Sequence, residues 1–469
     1  MSKLTESGQI IDYGLAHDKL LNGTSGFKYD AIDAATQARL LRVTPGSMDF
    51  SLETFNLSDL PSTRYCALSY IWGSAEYTEN IYEINVGGQC FYVRRNLYEF
   101  LTTSARNRVG GLLFIDAICI NQLDSAERRA QVKEMARVYR NANLVVAWLG
   151  TPKTREQDDS LESLSQAGID KHHSEFTAEQ WEGFRYLSYH PYWSRVWIVQ
   201  EVLLARSVTI WCGHHVFPSR LFAGIPSYAI PSPELRFSQS GRPQTVADAV
   251  SDSRSPAERI ITHRERVVLR PILDPLAQGT AVGTLDEITA ELTRPHTAVE
   301  TYHSRVPDLI HEVIRKFGKL DCTDPRDKLY GFLGIIADSS RAKVIPDYRE
   351  DTAYAYRQAL KIGLEEIRSE YWTPPYSRRL QEVYREYLAY YCNVRDAFRI
   401  DDRQSADILK GVVAQIARET HPPHRTVEHD WQEHVSRDNL LGTTQPEREE
   451  AEKVSQRPRG IRRWRLWLR

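Results

Sequence analysis

Residues 112–150 read LLFIDAICINQLDSAERRAQVKEMARVYRNANLVVAWLG, and this stretch sets the fold class for the rest of the chain. Residues 112–115 are an apolar run with the length and side chains of a strand buried on both faces, and they lead into a polar tip at residues 116–122. Asp124 stands where a helix needs an N-cap, with Glu127 three residues on in capping-box spacing. Val132, Met135, Ala136 and Tyr139 follow at helical intervals as one apolar stripe, opposite Arg128, Arg129, Lys133 and Arg137. Residues 144–149 predict a second buried strand, stopped at Gly150. Strand, crossover helix and strand within about forty residues predict a parallel βαβ unit with a right-handed connection. Ligands of such sheets gather at the carboxyl ends of strands, where Asp116, Asn121 and Gln122 fall.

Upstream, residues 39–43 and 50–57 predict a hairpin around Pro45-Gly46. Residues 65–73, YCALSYIWG, predict a strand ending in a polar and aromatic tip, with glycine where the chain must turn. Gly87-Gly88 between short apolar runs predicts another hairpin, and Asn96 reads as the cap of a helix through Arg106. Downstream, residues 155–167 form an acidic surface helix and Thr177 caps a helix over 178–189. In residues 190–205, HPYWSRVWIVQEVLLA, Pro191 and Ser194 favour a helix start. Val196, Val199 and Leu203 supply its buried stripe, with Gln200 and Glu201 beside it. A strand pair follows at 207–212 and 216–217. Residues 231–256, rich in Ser, Pro and Arg, read as an exposed insertion. Helical patterns resume at 299–317, 324–334 and 351–368 and continue, strongly charged, beyond 370.

The chain of 469 residues is long enough for two to four domains, and a hydrophobic content of 41% supports a real core. Sixty basic against sixty-two acidic residues argue against a general nucleic-acid binder. The six cysteines, at 66, 90, 119, 212, 322 and 392, form no CxxC pair, which suits reduced thiols better than a disulfide framework or a zinc site. No eighteen-residue apolar run occurs and the first residues lack a signal-peptide core, so the expectation is a soluble, cytoplasmic protein without a transmembrane segment. No Walker or GxGxxG pattern falls where a strand meets a helix. The last fourteen residues, with six arginines and two tryptophans, read as a tail.

Three blocks together resemble the fungal heterokaryon-incompatibility (HET) domain. They are ALSYIWG at 67–73; IDAICINQ at 115–122, continued through Glu127, Gln131, Met135 and Tyr139 to Trp148-Leu149-Gly150; and YWSRVWIVQE at 192–201. The likeness also takes in residues 39–45 and 324–334. It implies an α/β domain that triggers cell death when genetically different fungal cells fuse. It implies as well a more distant likeness to TIR domains, flavodoxin-like folds of which some cleave NAD. TIR domains open with a strand ending in Ser-Tyr, as Ser69-Tyr70 does, and carry a catalytic glutamate in a helix shortly after a tryptophan, as Trp197 and Glu201 stand here. One departure is Val196, which separates Arg195 from Trp197 where many TIR domains set arginine and tryptophan side by side.

The expected fold is therefore an α/β domain with a mainly parallel, flavodoxin- or TIR-like central sheet, added hairpins and a helical region behind it. The expected divisions are an N-terminal segment at 1–36, the HET domain at 37–220, an insertion at 221–298, a helical extension at 299–370 and a charged helical region with its tail at 371–469. The chemistry implied is cleavage of the nicotinamide glycosidic bond, with NAD as substrate and no bound cofactor or metal. Glu201 either steadies the ribosyl cation or pairs with Arg195 to hold the helix start. Asp116 either binds ribose, orients Asn121 or caps its loop through backbone N–H groups. Gln122 lies in the same tip. Tyr70, Trp72 and Trp197 stack on a ligand ring or serve as core lids. Arg128 meets a phosphate at a helix N-terminus or lies on a solvated face. Cys119 packs as a small hydrophobe, and the His pairs 172/173 and 214/215 lack metal-ligand spacing and receive no role. The alternative to an enzyme is an adaptor whose helices and strand edges recruit partners, by self-association or with another incompatibility protein.

Overall fold

The unbroken apolar runs lie, as their composition demands, in the middle of a sheet covered on both faces. The computed structural model describes residues 2–4, 10–12, 27–73, 80–167, 175–222, 255–268, 308–371 and 380–419. Two compact units divide the chain, Met1–Arg305 and Val306–Arg469.

In the first unit, β1 (Ser2–Leu4) and β2 (Ile10–Asp12) form a separate antiparallel pair. The nine-stranded sheet comprises β3 (Gln37–Val43), β4 (Asp49–Asn56), β5 (Cys66–Tyr70), β6 (Ile81–Val86), β7 (Gln89–Arg94), β8 (Gly111–Phe114), β9 (Leu144–Trp148), β10 (Val208–Cys212) and β11 (His215–Pro218), in the order β11-β10-β9-β5-β8-β3-β4-β6-β7. The sheet is mixed rather than mainly parallel. β10, β9, β5 and β8 run parallel, as do β4 and β6 over a short overlap, while β3 meets both β8 and β4 antiparallel and each edge ends in a hairpin. The antiparallel half reflects hairpin chemistry: the turns at Pro45-Gly46 and Gly87-Gly88 return the chain beside itself before a crossover can form.

Along the parallel core the sequence order is second, first, third, fourth, because β5 lies between β8 and β9. The βαβ unit of residues 112–150 therefore steps over β5, carried by α3 (Ser125–Asn141). Strand alternation sends Ala67, Ser69 and Phe114 to one face, where Phe114 meets Tyr139 of α3 with ring centroids 5.9 Å apart. Leu68, Tyr70, Trp148 and Trp211 take the other, where Phe100 of α1 (Arg95–Arg106) packs edge-on against Trp148 and Trp211 at 5.6 and 5.5 Å. β9 continues through α4 (Arg155–Gln166), α5 (Ala178–Ser188), a 3-10 turn at Pro191–Ser194 and α6 (Ile198–Leu204) into β10.

Several expected boundaries moved. Asp124 does cap α3, accepting from the N–H groups of Ala126 and Glu127, but Glu127 does not close a capping box; its carboxylate is claimed by Arg39. Thr177 and Gln180 form a full capping box at α5. The helix expected from Pro191 begins only at Ile198, because Arg195 is extended at φ −84°, ψ 140°. The tip at 116–122 contains one helical turn, α2 (Asp116–Cys119), with Ile118, Cys119 and Ile120 buried. Most of the expected insertion, like His172-His173 and all residues from 420 onward with the arginine-rich tail, lies outside the described residues. Its described part holds a helix that composition did not reveal, α7 (Pro256–Val268), with Ala257, Ile260 and Ile261 buried.

The second unit contains α8 (Ile310–Phe317), the single turns α9 (Asp327–Tyr330) and α10 (Asp338–Arg341), and α11 (Thr352–Tyr371), α12 (Leu380–Phe398) and α13 (Asp402–Glu419). Gly363 of α11 leaves room for the Tyr390 ring, whose hydroxyl donates to Ala359 O at 2.6 Å. The charged motif at 324–334 is structural: Arg326 grips Asp324 and donates to Tyr348 O, and Lys328 Nζ donates to the carbonyls of Gly318 and Leu320 just past α8. Among the described residues no helix is long and apolar enough to cross a membrane.

Candidate functional site

The carboxyl end of β5 brings the three sequence blocks together. Ser69 points to the α3/α6 face, where its hydroxyl donates a short hydrogen bond to Glu201 Oε2. Tyr192 OH lies 2.5 Å from Ser69 Oγ and, with the serine proton committed to the carboxylate, is the donor of that pair. Tyr139 of α3 donates to Leu68 O at 2.9 Å and stands close enough to Glu201 to ease its charge. Glu201 itself is only 3% exposed. Its helix is buried on every side and braced from behind, since Arg264 of α7 donates to Ala205 O and Arg206 O at its end.

Burial pushes the Glu201 carboxyl up to about 7 from 4.5, against the pull of Arg195, with the charge of Asp116 adding to the rise. Arg195 does not form the ion pair that would hold Glu201 ionised. Its Nη1 donates instead to Tyr70 O, which fixes the end of β5. Asp116, at the carboxyl end of β8, accepts from Trp72 Nε1 at 2.9 Å and from its neighbour Ala117 N at 2.8 Å. Burial raises its carboxyl too, opposed by the Trp72 bond and by Arg195. Tyr70 is buried between these charges; burial, then Asp116, raises its phenol far above the ordinary range, so it stays protonated. Arg94 closes the corner, its guanidinium 5.5 Å from the Trp72 ring centroid and bonded to Gly73 O, with burial lowering its basicity.

Ser69, Tyr70, Trp72, Asp116 and Glu201 thus converge. Asn121 and Gln122 are turned to local work: Asn121 Oδ1 accepts from Leu123 N at 3.1 Å and Gln122 Nε2 donates to Asp116 O at 2.9 Å. Trp197 is half-buried at the start of α6, where its carbonyl accepts from Glu201 N at 3.3 Å. Arg128 is half-buried in the first turn of α3, beside Glu127 in sequence rather than beside Glu201. Cys119 is buried, its thiol pushed up to about 12 by that burial, so it is inert packing. His214-His215, given no role from spacing, meets Asp158 of α4 in space, a convergence that adjacent histidines do not advertise.

Sequence reading gave no site role to Arg94, Tyr192 or Asn96. Asn96 does not cap α1, whose N-cap is Arg94 without a side-chain bond. Its Nδ2 donates to Ile71 O at 2.6 Å and its Oδ1 accepts from Trp148 Nε1 at 2.8 Å, tying the tips of β5 and β9. Gly150, at φ +88°, serves the same junction; a Cβ there would lie 3.2 Å from Asn96 Oδ1. Tyr192 carried a signal in its block, but a phenol beside a tryptophan reads first as core.

Residues 65–201, which span this whole corner, match the family described as heterokaryon incompatibility protein (HET). The chain carries a HET domain. It is 23% identical over 391 residues to heterokaryon incompatibility protein 6, OR allele, of Neurospora crassa, covering 70% of this chain and 52% of that protein. The chain thus spans about half the length of this curated relative. No solved structure matches it.

Proposed function

We propose that this HET domain, residues 37–220, acts in an incompatibility response, signalling or executing cell death on non-self recognition, and that it does so by cleaving NAD at the nicotinamide glycosidic bond. The observation that carries the reading is Glu201: a buried carboxyl titrating near 7, held by a serine rather than an arginine, at the carboxyl end of a parallel strand. The second-first-third-fourth order of the parallel strands is that of flavodoxin-like sheets, the class of TIR domains, and in that class ligands enter beside the first strand, here β5. Cleavage passes through an oxocarbenium-like ribosyl centre, which an ionised Glu201 steadies directly or through the ribose hydroxyls; nicotinamide leaves with the bonding pair and water adds to the ribosyl carbon, releasing a proton. Arg94, half-buried over Trp72, offers a cation to the diphosphate, Trp72 flanks the ring to be released, and Arg195 and Tyr70 hold the end of β5 in place.

One observation favours an adaptor instead. At 3% exposure Glu201 is already engaged, and the Trp72–Asp116 bond is a complete contact of its own. Purified chain, brought together by a fused multimerising tag as self-association or a partner incompatibility protein would do, separates the two. Wild type is expected to release nicotinamide from NAD, and Glu201→Gln to lose about 100-fold or more in rate, the scale of removing one transition-state-stabilising group. No release by wild type, beside an active TIR control, leaves the adaptor reading.

A further inference from the structure

At the edge of the sheet, with β9 between it and β5, the hairpin β10–β11 carries His214 and His215 at its tip, and α4 presents Asp158 and Glu162, four residues apart and so on one helical face. His215 Nε2 lies 2.9 Å from Asp158 Oδ1, His215 Nδ1 lies 3.5 Å from Glu162 Oε2, and His214 Nε2 lies 3.8 Å from the same oxygen. One ligand atom each from Asp158, His214 and His215 falls within 4.8 Å of the others. The two imidazoles lie together, with ring centroids 3.9 Å apart.

The backbone holds this arrangement in place. Gly213 takes φ +59° in the turn and its N–H donates to Gly150 O at 2.8 Å, while a Cβ at that position would lie 2.9 Å from Pro152 Cδ. The hairpin tip is thereby fixed against the segment that leads into α4, whose Thr154 N-cap starts the turn bearing Asp158.

We propose that Asp158, His214 and His215 bind a divalent transition-metal ion of the zinc class, with Glu162 filling the fourth position or accepting from the second nitrogen of His215. Ligands about 2.0–2.2 Å from a tetrahedral ion stand about 3.4 Å from one another. Here His215 Nε2 and Asp158 Oδ1 stand 2.9 Å apart and the three ligand atoms all lie within 4.8 Å of one another, a span that side-chain rotation of the exposed His214 closes onto an ion, while the 3.5 Å from His215 Nδ1 to Glu162 Oε2 suits the oriented second nitrogen. Two imidazoles with carboxylate suit zinc, whereas calcium and magnesium favour all-oxygen sites. A carboxylate behind a ligating histidine is the usual way its ring is oriented. The ion clamps the terminal hairpin of the sheet to α4. A competing account, His215 wedged between the two carboxylates, uses Asp158 and Glu162 and leaves His214 only a 3.8 Å contact with Glu162 from a side chain that is 61% exposed.

His214→Gln separates the accounts, because it removes a ligand from an exposed side chain. The full chain, stripped with chelator, is titrated with zinc chloride and, separately, with cobalt(II) chloride. The expected result is one equivalent bound, a visible cobalt spectrum of tetrahedral intensity and a melting temperature that rises with zinc. His214→Gln and Asp158→Asn are expected to weaken binding by at least about tenfold, with the metal-free His214→Gln protein melting as wild type does. Absence of saturable binding at micromolar zinc, or His214→Gln protein that binds as tightly as wild type, overturns the proposal.

Discussion

Glu127 and Glu201 are both buried carboxylates on helices covering the same face of one sheet, yet their surroundings are built on opposite plans. Glu127 receives a two-pronged bond from Arg39, at 2.7 and 3.1 Å, and a third from Asn121 N at 2.7 Å. Arg39 in turn donates to Cys119 O and Asp30 O and lies 4.8 Å from the Tyr29 ring centroid. Both Nη groups of Arg39 and both carboxylate oxygens of Glu127 are matched, leaving only Arg39 Nε without a partner, and the cluster locks β3 to the start of α3. Glu201 has an arginine near it, but that arginine is spent on Tyr70 O, and the carboxyl is left with hydroxyl donors and a second carboxyl, Asp116, in range. A protein that can build the first arrangement and leaves the second unmatched is holding a group in a costly state, which is characteristic of sites that act on something else.

The comparison breaks most visibly at the matched pair. Arg39→Met is expected to destabilise the first unit by about 3–5 kcal/mol in chemical denaturation, because it strands Glu127 as an uncompensated buried charge. The double variant Arg39→Met, Glu127→Leu should recover much of that loss. A single variant that unfolds like wild type would mean the pair is not buried in solution. Next in size is Asn96→Ala, which leaves Ile71 O without its donor while Trp148 Nε1 keeps its bond to the backbone carbonyl of residue 96 at 3.1 Å; about 1–2 kcal/mol is expected, read as a lowered melting temperature. Ser69→Ala has the smallest effect on stability, about 1 kcal/mol, but sharpens the contrast. Since the serine bond lowers the Glu201 pKa, its loss should move the carboxyl titration upward, as followed by carboxyl NMR or infrared signals. A titration that stays put or moves down would place the serine outside the carboxylate's surroundings.

Residues 112–150 made the centre of the sheet legible, because runs such as Leu144 to Trp148 admit little but a doubly covered strand. The same local logic failed wherever a side chain left its own element. Glu127 and Asn96 sit at cap spacings and serve partners 88 and 52 residues away, and no periodicity encodes such partners. The mixed character of the sheet was obscured for a related reason: the β3–β8 pairing depends on which edge the hairpins choose. α7 was hidden because a stretch rich in Ser, Pro and Arg outweighed the apolar positions Ala257, Ile260 and Ile261. The convergence of blocks at Glu201 was legible only as a family pattern, and its electrostatics became visible only with Arg195 in place.

The most direct test of the contrast is the stability of wild type and Glu201→Gln measured across pH 4 to 9. Because the folded-state pKa is raised from 4.5 to about 7, the folded protein holds a proton that the unfolded chain releases within that window. Wild-type stability should therefore fall as pH rises through it, with the deficit complete above about 7. Glutamine mimics the protonated acid, so Glu201→Gln is expected to gain on wild type with rising pH, by up to about 3 kcal/mol at pH 8, while the two converge near pH 4. A Glu201→Gln protein that is equally destabilised at every pH, or that loses ground on wild type as pH rises, would contradict the account.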